Sequence, residues 1–119
     1  MEKTKTMLTI YHNSSCSKSR EALKVLTQGD EEFQVINYLE EVPSVAELKM
    51  LLHKLGCRPH DIIRKTEKVY LEKFKGKELT DEEWIVAMHE NPILIQRPIV
   101  VNGDRAVIAR TDDALDDIL

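Results

Sequence analysis

Ten consecutive residues concentrate the reactive side chains of this sequence: Tyr11-His12-Asn13-Ser14-Ser15-Cys16-Ser17-Lys18-Ser19-Arg20. Cys16 stands between an apolar, strand-like run and a helical pattern. A thiol at a helix start faces the unbonded N–H groups of the first turn, and these, with the helix dipole, favour thiolate over thiol. Lys18, Arg20 and His12 add cationic groups close by in sequence. The pattern is that of an activated sulfur nucleophile rather than a core cysteine. His12, four residues before Cys16, can approach the sulfur from the end of an extended strand. Asn13 and Ser14 can hydrogen-bond the loop or an anion, or serve only to build the turn.

The position three residues after Cys16 is Ser19, so the chain lacks the paired cysteines of a dithiol oxidoreductase. The second cysteine, Cys57, follows a helical pattern in Gly56-Cys57-Arg58-Pro59 and reads as a loop thiol. A resolving role would require it to come within disulfide range of Cys16. Three arginines are the remaining candidates. Arg97 precedes Pro98 at a strand start, Arg110 follows a β-rich run, and Arg64 lies in the middle of the chain. A guanidinium presents a planar fork of donors suited to a tetrahedral oxyanion. The acidic residues Asp112, Asp113, Asp116 and Asp117 read as a solvated face, without the spacing of a metal site.

The elements that must position these groups can be read in order. Met7–Tyr11 reads as a strand, Ser17–Thr27 as a helix ended by Gln28-Gly29-Asp30, and Phe33–Leu39 as a second strand. Together they form a right-handed βαβ unit with parallel strands. Ser44 and Glu47 have capping-box spacing ahead of Leu48, Leu51, Leu52 and Leu55, and Gly56 closes that helix. Thr80 and Glu83 repeat the spacing before Trp84, Ile85, Ala87 and Met88. Arg64–Leu79 is charged and carries no clear pattern. Pro98–Val101 and Arg105–Ala109 flank the hairpin signal Asn102-Gly103-Asp104, and Thr111 caps a last helix that turns Leu115 and Ile118 inward. The order βαβ, helical insert over about 44–90, then ββα predicts an α/β thioredoxin-like domain over 1–119 with a four-stranded mixed sheet. In that fold the proline entering the third strand is cis and packs beside the reactive cysteine, which predicts a cis Arg97–Pro98 bond.

Composition narrows the function. The chain has 119 residues, 42% hydrophobic and 32% charged, with a formal net charge of −4. No global positive field is available to hold nucleic acid or an anionic membrane, so an anion site has to be local. Two cysteines are too few for a disulfide-stapled secreted domain. The first residues carry no signal-peptide pattern, and no segment is long enough to span a bilayer. A cytoplasmic monomer is the expectation.

At these residues the chain resembles the glutaredoxin-coupled arsenate reductase family, in its shorter branch. The resemblance runs in order through Tyr11-His12-Asn13, Cys16-Ser17-Lys18-Ser19-Arg20, Ile62-Ile63-Arg64-Lys65, Asn91-Pro92-Ile93-Leu94-Ile95, Arg97-Pro98-Ile99-Val100-Val101 and Val107-Ile108-Ala109-Arg110. Ser14 departs from it, since the family often has proline there. The resemblance implies Cys16 as the nucleophile on arsenate or a similar oxyanion, His12 near the thiol, and Arg64, Arg97 and Arg110 around the anion with Asn13 and Ser17. It implies no bound cofactor or metal, glutathione as co-substrate, and glutaredoxin as protein partner. Two other readings share the fold. One is a monothiol oxidoreductase acting on glutathionylated proteins. The other is an RNA-polymerase-binding stress regulator, against which Ser19 argues because such regulators commonly keep a paired-cysteine switch.

Overall fold

Strand β1 (Leu8–His12), buried at every position but Thr9, is an interior strand of a sheet in the computed structural model, which describes residues 8–119. Met7, read as the first residue of that strand, lies outside the described residues. The chain divides into two compact units. One takes the described residues up to Asn37 together with Arg97–Leu119, and the other is Tyr38–Gln96.

The first unit holds the whole four-stranded sheet, in the order β2-β1-β3-β4. Strand β2 (Phe33–Asn37) runs parallel to β1. Strand β3 (Ile99–Asn102) is antiparallel to β1, and β4 (Arg105–Ile108) is antiparallel to β3. Helix α1 (Ser17–Gln28) crosses from β1 to β2, and the last helix (Asp112–Ile118) follows β4. Leu8, Ile10 and Val100 from the sheet meet Ala22 and Leu26 of α1 and Leu115 and Ile118 of the last helix in one core. Each fully buried Leu or Ile contributes roughly 1.5–3 kcal/mol relative to exposure, so this stripe fixes which face α1 turns to the sheet. Ser19 lies three residues before Ala22 and seven before Leu26, and is therefore carried inward on the same stripe.

Second-strand pairing stops at Asn37, two residues short of the run that the β-prone sequence suggests, because the chain turns at Tyr38. The hairpin also differs by one residue. Asn102 pairs with Arg105, leaving Gly103-Asp104 as the two-residue loop. Gly103 has φ of +66° and Asp104 has negative φ, the pattern of a II′ turn with glycine first. Asn102 stays in the strand, its Nδ2 donating to the Ile118 carbonyl at 2.8 Å.

The second unit is helical: α2 (Val45–Leu55), α3 (Lys68–Lys73) and α4 (Asp81–Glu90), with 3₁₀ turns at Pro59–Ile62 and Pro92–Leu94. Counting on, the last helix of the chain is α5. The Ser44 hydroxyl accepts from the Glu47 N–H at 3.1 Å, and Gly56 ends α2 in the left-handed region at φ +70°. Thr80 and Glu83 close a reciprocal capping box on α4. Trp84 is buried and packs with His60, Tyr70 and Phe74 at ring distances of 5.4, 6.4 and 5.8 Å. Helix α3 occupies part of the charged stretch that has no sequence pattern, and it buries no residue. Among the described residues no helix is long and apolar enough to cross a membrane.

Candidate active site

The loop from His12 to Cys16 is built by its own polar groups. The Asn13 carbonyl accepts the Cys16 N–H at 3.0 Å, and Asn13 Oδ1 accepts the Ser15 N–H at 2.9 Å. Of the two uses open to Asn13, these bonds are those of a turn builder, and the residue is buried. Arg20 Nη1 reaches back to the Ser14 carbonyl at 2.8 Å. Cys16 is left as the N-cap of α1, in extended conformation (φ −99°, ψ 122°).

Burial alone raises the Cys16 thiol. The Ser19 backbone N–H, the Arg97 side chain, the Lys18 backbone N–H and the Arg110 side chain outweigh it and hold the thiol below the ordinary cysteine range. Two helix-start amides and two guanidiniums thus favour the charged form of the thiol. Cys57 behaves oppositely. Burial first, and then the Asp61 carboxylate, push its thiol upward. Both cysteines are free thiols.

Arg97 and Arg110 meet because of sheet register. Ile99 pairs with Ile108, and the Ala109 N–H donates to the Pro98 carbonyl at 2.8 Å, so the two arginines stand opposite each other beyond the ladder. Arg110 Nη1 donates to the Arg97 carbonyl at 2.7 Å, and the Arg97 side chain is buried. The Arg97–Pro98 peptide is cis. Arg64 belongs to the second unit. There its N–H donates to the Leu94 carbonyl at 2.7 Å, and its Nε is paired with Glu67 at 3.0 Å.

His12 ends β1 and is buried. Burial lowers its pKa, the bond to Ser19 works in the other direction, and the Arg20 charge lowers it again, with a net shift downward. Burial thus disfavours the positive charge that the sequence suggests. The His12 Nδ1 is 2.7 Å from Ser19 Oγ. Ser17 is exposed on the first turn. The residue that sequence reasoning undervalued is Ser19, noticed there only for not being cysteine. Its place on the buried stripe of α1 is the signal, since a buried hydroxyl must find partners. Among the described residues no three His, Cys, Asp or Glu side chains cluster as metal ligands.

Known proteins are similar to this chain along nearly their whole length. The model of the ArsC family matches residues 11–118. The chain belongs to the ArsC family. It is 39% identical over 112 residues to the uncharacterized protein YfgD of Escherichia coli K12, covering 92% of this chain and 94% of that protein. It is 37% identical over 115 residues to an arsenate reductase of Haemophilus influenzae, covering 92% and 97%. Among solved structures, an arsenate reductase from Vibrio cholerae superposes with a TM-score of 0.90 at 42% identity, covering 98% of this chain and all of that one. The α/β fold with a four-stranded mixed sheet is the thioredoxin-like fold of this ArsC family.

Proposed function

We propose that this ArsC-family chain is a thiol-dependent arsenate reductase in which Cys16 forms a covalent bond to the oxyanion. The reading is carried by Cys16 at the N-cap of α1 together with Arg97 and Arg110, which sheet register sets opposite each other and which both favour the thiolate. These donors hold a thiolate ready for attack, and the two guanidiniums lie where an anion approaching that sulfur would be met. Its arsenate-reductase relatives supply the choice of oxyanion.

In this reaction the Cys16 thiolate attacks arsenic and displaces one oxygen, which leaves as water after protonation. Glutathione then bonds to the Cys16 sulfur as the sulfur–arsenic bond breaks. The electron pair of that bond stays on arsenic and reduces As(V) to As(III), released as arsenite. Two thiols have been oxidised to one mixed disulfide, which glutaredoxin returns to the free Cys16 thiol. With serine at position 19, an external thiol is the natural second electron donor. Ser17, exposed on the first turn, lines the approach in this reading. The assignment of Arg64 as a third guanidinium comes from the family resemblance, and Arg64→Ala tests it. The reaction needs reduced thiols, in keeping with a cytoplasmic location.

The deciding experiment is arsenate reduction coupled to glutathione and glutaredoxin, with Cys16→Ser as control. Turnover that Cys16→Ser abolishes is the expected result. No turnover with arsenate, but release of glutathione from glutathionylated protein, would replace this reading with the monothiol oxidoreductase.

A further inference from the structure

We propose that a groove between α1 and the start of α5 seats the γ-glutamyl end of glutathione, the thiol that attacks the Cys16 adduct. The proposal rests on the reductase reading for the identity of that second thiol, and adds to it a binding site on this chain.

The groove has a volume of about 480 Å³, within the range of roughly 300–1,000 Å³ for small-ligand sites. Its floor is apolar and buried, made by Ala22 of α1, Ala109 after β4 and Leu115 of α5. Its walls are charged, with Lys18 and Lys24 on α1 and Asp112 at the start of α5. The groove adjoins the nucleophile. Lys18 stands two residues after Cys16, the N-cap of α1. Arg110 also lines the groove, and its Nη1 donates to the Arg97 carbonyl at 2.7 Å. Lys18 and Arg110 are both among the groups that favour the Cys16 thiolate. From Lys18 the groove follows α1 to Lys24, roughly 9 Å along the helix axis at 1.5 Å per residue.

The charges suit one end of a peptide thiol rather than a simple anion. Acids and bases line the same groove, so a bare oxyanion there would meet Asp112 as well as the lysines. Glu21 is engaged by Lys18 at 3.5 Å. Lys24 and Asp112 are exposed and take part in no ion pair among the described residues. A cation on α1 and an acid on α5 match a group that carries both a carboxylate and an ammonium. Glutathione has that pair on its γ-glutamyl residue, at the end of an arm that leads to the cysteine thiol. Its glycyl end offers a carboxylate alone. The γ-glutamyl arm therefore lies along the groove, with its carboxylate at Lys24, its ammonium at Asp112 and the thiol directed toward Cys16.

The test is thiol–disulfide exchange without arsenate. In a Cys57→Ser background, Cys16 is converted to its mixed disulfide with thionitrobenzoate by reaction with the symmetric disulfide of that thiol. An incoming thiolate attacks the Cys16 sulfur, the sulfur–sulfur bond breaks, and thionitrobenzoate leaves as a coloured thiolate. The low pKa of the leaving thiol directs attack to the Cys16 sulfur, and mass spectrometry confirms the new mixed disulfide. Rates with glutathione, γ-glutamylcysteine and N-acetylcysteine are compared in the background chain, Lys24→Ala and Asp112→Asn, with circular dichroism as the check of folding. N-acetylcysteine has the net charge of glutathione but no ammonium. The ratio of the glutathione rate to the N-acetylcysteine rate therefore cancels changes in overall field. That ratio should fall roughly two- to fivefold in each variant, the range of one exposed ion pair, and γ-glutamylcysteine should follow glutathione. An unchanged ratio in either variant overturns the proposal. So does a γ-glutamylcysteine ratio that stays constant while that of glutathione falls, because the groove would then hold the glycyl end. Arsenate turnover is read separately. Its absence with the expected ratios refutes the reductase reading alone, and unchanged ratios with normal turnover refute the groove alone.

Discussion

Replacing Arg97 with lysine asks how much of the anion site depends on a guanidinium rather than on charge. Arg97 is buried, so its bonds escape most of the screening that makes surface pairs weak. The bond that Arg110 makes to this residue goes to the main-chain carbonyl, 2.7 Å away, and survives the substitution. The change therefore removes one fork of donors while leaving the second arginine anchored. A lysine ammonium is a single point of charge and cannot span two oxygens as the planar fork does. One hydrogen bond to a charged group is worth about 1.5–3 kcal/mol, which at about 1.4 kcal/mol per factor of ten is roughly a 10- to 150-fold weaker anion. The assay is protection of Cys16 from iodoacetamide by arsenate, phosphate or sulfate. Each variant is referred to its own unprotected rate, because Arg97 also supports the thiolate. Equal protection in folded Arg97→Lys and wild type would refute the geometric argument. Failure of all three anions to protect the wild-type thiol would remove the oxyanion site altogether.

Cys16 should be alkylated faster than Cys57 near pH 7, since one thiol is held below and the other above the ordinary range; site-resolved mass spectrometry checks the order. Stability should carry the same signature. Between the folded and unfolded values of the Cys16 thiol the unfolded chain binds more protons, so stability rises with pH across that interval and is lost as pH falls through the folded value. The difference between wild-type and Cys16→Ser urea melts at several pH values isolates this slope. Gly56→Ala should cost about 1–2 kcal/mol from the left-handed backbone alone, because a Cβ there meets nothing within 4 Å. Thermal melting should show a midpoint lower by roughly 3–8 °C.

The candidate nucleophile, the helix that it caps and the order of the elements could be read from the chain because each rests on neighbours a few residues apart. Cys16 at the start of an amphipathic helix, Thr80 three residues before Glu83, Gly56 after Leu55 and Thr111 before α5 are signals of this local kind. Helix α3 escaped because it buries no side chain and so leaves no apolar stripe in the sequence. The hairpin was legible as a turn, but the placement of Gly103-Asp104 in the loop depended on strand pairing and on the bond from Asn102 to Ile118. The same register sets Arg97 across from Arg110, thirteen residues away, with a hydrogen bond between them. Burial of the β1 terminus lowers the His12 pKa. The α1 stripe turned Ser19 inward, and only the folding of β1 against that helix brought His12 to its hydroxyl. Periodicity and capping are short-range properties of the chain, whereas register, desolvation and the partner of a buried polar group are set by residues that meet only once the sheet has formed.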